Sequence, residues 1–464
     1  MTQLVWFRND LRLADNPALT RALAAGEKVA GCFILAPGQW QDHDWGPVRI
    51  DLVLRSLESL AESLAELGIP FHVLKADTFT DGNEALLSLC GQLQVTTVHA
   101  NEEYSVNERK RDRLLKKTLQ HNGSDLLIYR DQTVVPAGTL RTGSGDPYAV
   151  FTPYSRQWRH WVEQHPIQLY PAPGAQGKPL AVTAIPALTH LRADHGHWFV
   201  ATEDAAHEAL DAFTREQMQH YKEKRDFPAE PGTSLLSPYL AVGILSGRQC
   251  LQQAQQVVAA NGGGDGAHTW ITELCWRDFY IDILYHHPRV GRHRAYKPDT
   301  EALTWKPKGD AFTAWCEGRT GIPLVDAAMR QLNQTGWMHN RLRMVTAMFL
   351  SKNLFIDWRA GEQYFMEKLL DGYLPSNNGG WQWSASTGTD SAPYFRIFNP
   401  VTQSERFDPQ GTFIRRYVPE IAHLTGKAIH DPSRAGGVAG YPSPIVGLKE
   451  SRKQAIAQFQ ALKN

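Results

Sequence analysis

The sequence predicts an α/β domain with a doubly wound, parallel, five-stranded sheet, joined by a long connector to a large all-α domain. Three observations carry this expectation. At 464 residues the chain is too long for one hydrophobic core. Its first 130 residues alternate short apolar runs with helical patterns, as repeated βαβ units do. From about residue 205 onward the apolar spacing is helical and strand signals are scarce. The expected divisions are residues 1–130 for the α/β domain, 131–204 for the connector and 205–464 for the helical domain.

The strand candidates, in order, are 4–7, 29–35, 71–74, 95–99 and 126–129. Asn16-Pro17 starts a helix after the first of them. The clearest helix follows the second: Pro47 stands near its start, Ile50, Val53, Leu54, Leu57, Leu60, Leu64 and Leu67 recur at helical spacing, and Gly68 closes it. Residues 106–119 form another helix. In the connector, 154–162 reads as helical and 171–177, rich in Pro and Gly, as linker. Further helices are expected at 208–221, 248–260, 269–285, 310–316, 324–333, 341–355 and 361–369. Gly262-Gly263-Gly264-Asp265-Gly266 reads as a flexible turn.

Composition excludes several classes. Lys+Arg and Asp+Glu both number 48, so overall charge gives no reason to invoke a polyanion. No run approaches the ~20 apolar residues of a membrane span, and Leu4 to Phe7 is too short for a secretory core. The five cysteines form no C-x-x-C and read as reduced thiols of a cytoplasmic protein, with no metal site. The first strand runs into Arg8-Asn9-Asp10-Leu11-Arg12, not G-x-G-x-x-G, so the standard dinucleotide signal is missing.

Four stretches of the helical part carry chemistry. Gly232-Thr233-Ser234-Leu235-Leu236-Ser237-Pro238 sets hydroxyls and backbone N–H groups at a helix start, which suits an anion or an ordinary cap. Glu273, Trp276, Arg277 and Tyr280 share one helix face. A carboxylate, an indole, a guanidinium and a phenol make a poor core stripe; they suit a base-binding pocket or a surface salt bridge beside exposed rings. Gly336-Trp337-Met338-His339-Asn340-Arg341-Leu342-Arg343-Met344 opens a helix with polar side chains. Asp371-Gly372-Tyr373-Leu374-Pro375-Ser376-Asn377-Asn378-Gly379-Gly380-Trp381-Gln382-Trp383 contains a turn signal in Asn-Asn-Gly-Gly, yet it ends in two indoles. Eight of the 14 tryptophans fall between Trp270 and Trp383.

These stretches, together with Val5-Trp6-Phe7-Arg8-Asn9-Asp10-Leu11-Arg12 and Pro393-Tyr394-Phe395-Arg396-Ile397-Phe398-Asn399-Pro400, resemble the photolyase/cryptochrome family. They are most similar to its bacterial class I cyclobutane pyrimidine dimer photolyases. The resemblance implies an α/β antenna domain, a connector, and a helical domain binding FAD and DNA. It implies FAD contacts at Tyr221, Thr233, Ser234, Leu235, Leu236, Ser237, Trp270, Arg277, Trp337, Asn340, Arg343, Asp371, Tyr373 and Asn377, the last facing the flavin N5. Tyr373 stands where the family commonly has Asp, so a side-chain carboxylate contact is lost there.

By the same resemblance, Glu273, Trp276, Asn340, Met344 and Trp383 hold the lesion, and Arg225, Arg277, Arg341 and Arg396 hold the DNA backbone. Trp305, Trp358 and Trp381 match an electron-hopping triad. His43, Asn107 and Glu108 match an antenna site for 5,10-methenyltetrahydrofolate, with 8-hydroxy-5-deazaflavin as the alternative. The implied activity is light-driven splitting of pyrimidine dimers in single- or double-stranded DNA by reduced, anionic FAD, in a cytoplasmic monomer.

Three rivals share parts of this pattern. A cryptochrome photoreceptor is disfavoured by Asn377 and by a chain that ends at Asn464 without a long signalling tail. A (6-4) photolyase would carry paired histidines where this chain reads Met338-His339-Asn340-Arg341. A general electron-transfer flavoprotein would not need Glu273, Trp276 and Met344 together.

Overall fold

The computed structural model describes residues 2–260 and 264–462. The chain divides into two compact units, one of residues 1–219 and 234–288, the other of residues 220–233 and 289–464. In the first unit, β1 (Thr2–Trp6), β2 (Lys28–Leu35), β3 (Phe71–Lys75), β4 (Val95–Asn101) and β5 (Asp125–Tyr129) form one parallel sheet ordered β3-β2-β1-β4-β5. All five expected strands are present.

The winding reverses after β3, because β4 returns to the far side of β1. Right-handed crossovers then place helices on both faces, and the reversal leaves a crevice at the carboxyl ends of the central strands. The crossover helices start where local chemistry says they should. Asn16 accepts a hydrogen bond from the Leu19 N–H and Pro17 follows it. Thr78 and Asp81 form a reciprocal capping box for the Phe79–Leu93 helix. The Pro47–Glu66 helix buries Leu52, Leu57, Leu60 and Leu64.

Three buried charges and the half-buried Arg248 tie the rest of this unit to the sheet. The Arg12 guanidinium donates to the Asp131 carboxylate (2.5 Å), the Asp15 carbonyl (2.6 Å) and the Gly243 carbonyl (3.0 Å). Arg248 meets Asp131 at 2.7 Å and Asp15 at 2.8 Å. Both arginines hold Asp131 ionised, well below the usual carboxylate range, although its burial pushes the other way. Gly243 takes φ +74°, and a Cβ there would lie 2.0 Å from the Asn9 carbonyl oxygen, so no other residue fits.

The second unit is helical apart from one isolated bridge between Lys306 and Ile356. Its core gathers Trp315, Leu332, Leu342, Phe349, Trp358, Phe365 and Trp381. Gly361 allows the tightest contact: a Cβ on it would lie 2.1 Å from the Trp381 ring.

Three sequence expectations are corrected. Asn377-Asn378-Gly379-Gly380 is not a turn; it lies inside the Leu374–Ala385 helix. Pro375 sits in the first turn, Asn378 Nδ2 donates to the Glu362 carboxylate (2.8 Å) and Trp381 is buried, and these tertiary ties override poor helix formers. The helix expected at 341–355 is α-helical only over Asn340–Met348, then widens to a π-helix over Phe349–Leu354 and ends at Phe355 with φ +55°. Apolar spacing does not separate those two windings. Of the glycine-rich stretch, Gly262 and Gly263 lie outside the described residues, while Asp265 and Gly266 already belong to the Asp265–His286 helix.

The π-helix carries a fully buried lysine. Lys352 Nζ donates to Ser386 Oγ (2.8 Å) and lies 3.9 Å from the Phe459 ring centre. One hydrogen bond and one aromatic face do not offset the lost hydration of an ammonium, and the Lys297 charge adds repulsion. Its pKa falls to about 7. Between there and the ordinary lysine range, the unfolded chain holds one proton more than the folded chain, so stability rises with pH. Against Lys352→Met, the wild-type unfolding free energy should gain up to about 1.4 kcal/mol per pH unit above pH 7 and nothing below it. Parallel pH–stability curves from denaturant melts would refute this.

Candidate functional site

A cavity opens at the carboxyl ends of the sheet, as the reversed winding predicts. Trp6, Phe7, Phe33, Trp40 and Phe79 give it aromatic walls, Arg8, Glu103, Glu108 and Arg111 bring ionisable groups, and His43 adds an imidazole. Arg8 forks onto Asp112 at 2.9 and 2.8 Å, and Arg111 spans Glu103 and Asp112 at 2.8 Å each. Both guanidinium groups lie over Trp6.

His43, Asn107 and Glu108 come together at this cavity. The amide nitrogens of Gln39 (3.1 Å) and Asn107 (3.3 Å) both reach His43 Nε2, which makes that atom the acceptor and puts the ring proton on Nδ1. Glu108 Oε1 stands 3.6 Å from Nδ1. Burial lowers the His43 pKa, so the ring is neutral at pH 7. Burial, then the Glu103 charge, pushes the Glu108 carboxyl up to about 7. Its Oε2 is buried and accepts no hydrogen bond. Asn107 is exposed and approaches His43 from outside the cavity lining.

The Asp265–His286 helix presents the second group. Asp278 on its buried side accepts from the Val134 N–H (3.0 Å), the Val135 N–H (3.0 Å) and Trp158 Nε1 (2.9 Å), and burial still pushes its carboxyl up to about 6. The Arg277 guanidinium donates to the Gln132 and Leu240 carbonyls, so part of its fork is taken by protein. Trp276 is half-buried and stacks on Phe151; Glu273 beside it is half-buried. Trp270 is buried against Phe213.

The cap expected at Ser237 is corrected. Ser237 is the first residue of the Ser237–Val242 helix, and Leu236 precedes it with no side-chain cap bond. The approach is shaped instead by Leu235 at φ +54°, with Ser234 Oγ 3.5 Å from the Leu236 N–H. Thr233 belongs to the second unit.

In the second unit, Arg343 donates to both oxygens of Asp371 (3.0 and 2.8 Å) and, through Nε, to the Met338 carbonyl (2.8 Å). Tyr373 precedes the 374–385 helix, and its carbonyl accepts the Asn377 N–H (2.9 Å), so its backbone keeps a structural part whatever its side chain. Asn377 Nδ2 donates to the Glu362 carbonyl (2.9 Å), which leaves Oδ1 as an acceptor. Trp337, Met344 and Trp383 are half-buried and Asn340 is exposed. Arg341 pairs with Asp226 (2.8 Å) over the Phe407 ring, Arg225 lies over Tyr221, and Arg396 is exposed.

Trp381 and Trp358 are buried and Trp305 is half-buried, packed on Phe355. The ring neighbours of Trp381 are Phe365 (5.0 Å) and Trp315 (6.0 Å). Its Nε1 has no hydrogen-bond partner. Among the described residues no cluster of His, Cys, Asp and Glu suits a metal ion, and no helix is long and apolar enough to cross a membrane.

Comparison with known proteins places this geometry. Residues 3–173 match the family described as DNA photolyase, and residues 270–461 match the FAD binding domain of DNA photolyase. The chain belongs to the photolyase family. It is 42% identical to a deoxyribodipyrimidine photo-lyase of Vibrio cholerae, over 99% of this chain and 100% of that protein. It is 43% identical to one of Escherichia coli, over 99% and 98%. Among solved structures it is similar to a class III photolyase of Agrobacterium tumefaciens (TM-score 0.90, 34% identity, 100% and 98% covered) and to a Synechocystis cryptochrome (0.88, 31%, 98% and 98%).

Family membership brings FAD. A Cβ on Gly380 would meet nothing within 4 Å, so the 374–385 helix leaves open room one turn along from Asn377. Sequence reasoning missed Trp40, Phe79 and Arg111 in the cavity, and Phe151 behind Trp276. The only sequence signal for the cavity set was its place after the strand ends.

Proposed function

We propose that this chain repairs ultraviolet-damaged DNA by light-driven splitting of cyclobutane pyrimidine dimers. The observation that carries this is its likeness, along 99% of its length, to proteins named deoxyribodipyrimidine photo-lyase. Bound reduced FAD supplies the photoexcited electron that opens the cyclobutane ring and receives it back, so no net redox change occurs.

The protein's own residues bind, orient and exclude water. Asn377 Oδ1 would be free to accept from the flavin, and Arg343 fixes the Asp371 carboxylate with two hydrogen bonds. Thr233, Ser234, Leu235, Leu236, Ser237 and Tyr221 hold the phosphate side, with Trp270, Trp337 and Asn340 lining the rest. Trp276 and Trp383 offer stacking faces to the flipped pyrimidines, Glu273 and Asn340 offer hydrogen bonds, and Met344 fills the remaining space. Arg225 and Arg396 hold the DNA backbone, and Arg341 does so only by sharing or leaving Asp226. Residues 1–130 serve the antenna, 131–204 connect, and 205–464 carry FAD and DNA, in a monomer of the bacterial cytoplasm.

A thymine-dimer oligonucleotide incubated with chemically reduced protein should regain its thymines only under blue light. Retained flavin without repair or affinity for the dimer would favour a photoreceptor, and tight binding without repair would favour the (6-4) lesion.

Trp305, Trp358 and Trp381 pass electrons inward to reduce oxidised cofactor. Trp305→Phe should abolish that photoreduction and leave repair by pre-reduced protein within a factor of ~2. An equal fall in both would end the wire reading.

His43, Asn107 and Glu108 hold a 5,10-methenyltetrahydrofolate antenna, whose ring N–H groups would satisfy Glu108 Oε2. Acid extraction of purified protein should release a pterin, reduced roughly tenfold in Glu108→Ala. A deazaflavin spectrum would overturn the folate reading.

A further inference from the structure

We propose that Phe151 is a positioning residue for lesion recognition: it backs the Trp276 indole and fixes the plane on which a flipped pyrimidine stacks. This deepens the dimer-repair reading and rests on it.

The two rings lie parallel, 5° apart in plane, with centroids 3.5 Å apart. Phe151 opens the Phe151–Gln164 helix, whose buried side chains are Phe151, Tyr154, Trp158 and Val162, one stripe at helical spacing. That stripe grips the Asp265–His286 helix at successive turns. Trp158 Nε1 donates to Asp278 (2.9 Å), Tyr154 tilts against Phe279 (5.1 Å), and Phe151 meets Phe279 edge-on (5.7 Å) as it stacks on Trp276. The hydrogen bond sets the register between the helices, and the register delivers the Phe151 ring to the indole.

Phe279 meets the indole edge-on as well, at 5.7 Å and 79°. With one face taken by Phe151 and the Tyr280 ring tilted against the indole at 5.5 Å and 32°, a base can stack at most on the face turned away from Phe151. An indole held this way loses little rotational freedom when a base arrives, which is the advantage of a pre-organised aromatic anchor. Base–aromatic stacking is tolerant of base identity, so a fixed plane selects for a pair of bases already unstacked from the duplex.

Removing the ring while keeping apolar volume isolates this role. Full-length Phe151→Leu should bind a thymine-dimer oligonucleotide roughly 3- to 10-fold more weakly than wild type. Its affinity for the undamaged oligonucleotide, and the salt dependence of that binding, should not change. Phe151→Tyr should bind like wild type. In a Trp276→Leu background, Phe151→Leu should cost nothing further, because the residue acts through the indole. If Phe151→Leu melts below the assay temperature, Phe151→Met takes its place as a flexible side chain of similar size.

Equal weakening on both DNAs, unchanged dimer affinity, or additive losses with Trp276→Leu would overturn the proposal. Wild-type protein binding both oligonucleotides alike would remove the dimer-recognition reading itself, and this proposal with it.

Discussion

The first unit depends on the buried charge knot of Arg12, Asp15, Asp131 and Arg248. It joins three points distant in sequence: the loop after β1, the exit from β5 and the 243–248 segment. Breaking a buried pair by deleting one partner typically costs about 3–5 kcal/mol, because a charge is left behind without compensation. What the knot gives here is register. The segment it fixes leads into the Gly247–Ala260 helix, which packs on the 265–286 helix. Asp278 then repeats the device one layer out, accepting three hydrogen bonds from the post-sheet loop and from Trp158. The half-buried Trp276 thus stands at the end of a chain of polar restraints, which is how a solvent-reached indole keeps one orientation.

The cavity over the sheet shows the same economy. Arg8 and Arg111 neutralise Glu103 and Asp112, so that Glu108 is the carboxyl left without a full partner. A site with every charge satisfied would have no demand to make of a ligand. Here the unmet atom sits beside a neutral imidazole whose tautomer is set by two amides, so the donor and acceptor positions are fixed before anything binds.

Strands were readable in the sequence because buried parallel strands are short continuous apolar runs between helical patterns, as at 4–7 and 29–35. The 47–66 helix was readable because one face is apolar throughout. Asn377 to Gly380 misled because local propensity was opposed by Glu362 and by the close seat of Trp381 on Gly361, contacts no window of sequence contains. The Phe79–Leu93 helix escaped notice because Thr, Asp, Gly and Asn crowd its first turns. His43, Asn107 and Glu108 were legible as a set only through family likeness, since 64 residues separate the first two. Phe151 carried no signal, being one more aromatic in a connector.

The last helix, Leu448–Ala461, looks like a simple C-terminal brace, yet Phe459 is what stands over Lys352. Without that ring, water would reach the amine and the lysine would recover its charge in the middle of the helical unit, beside a core of tryptophans. The final turns of the chain therefore act as a stopper against hydration. They bring the pKa of one buried amine down to about 7, so that its charge inside the helical unit follows pH near neutrality.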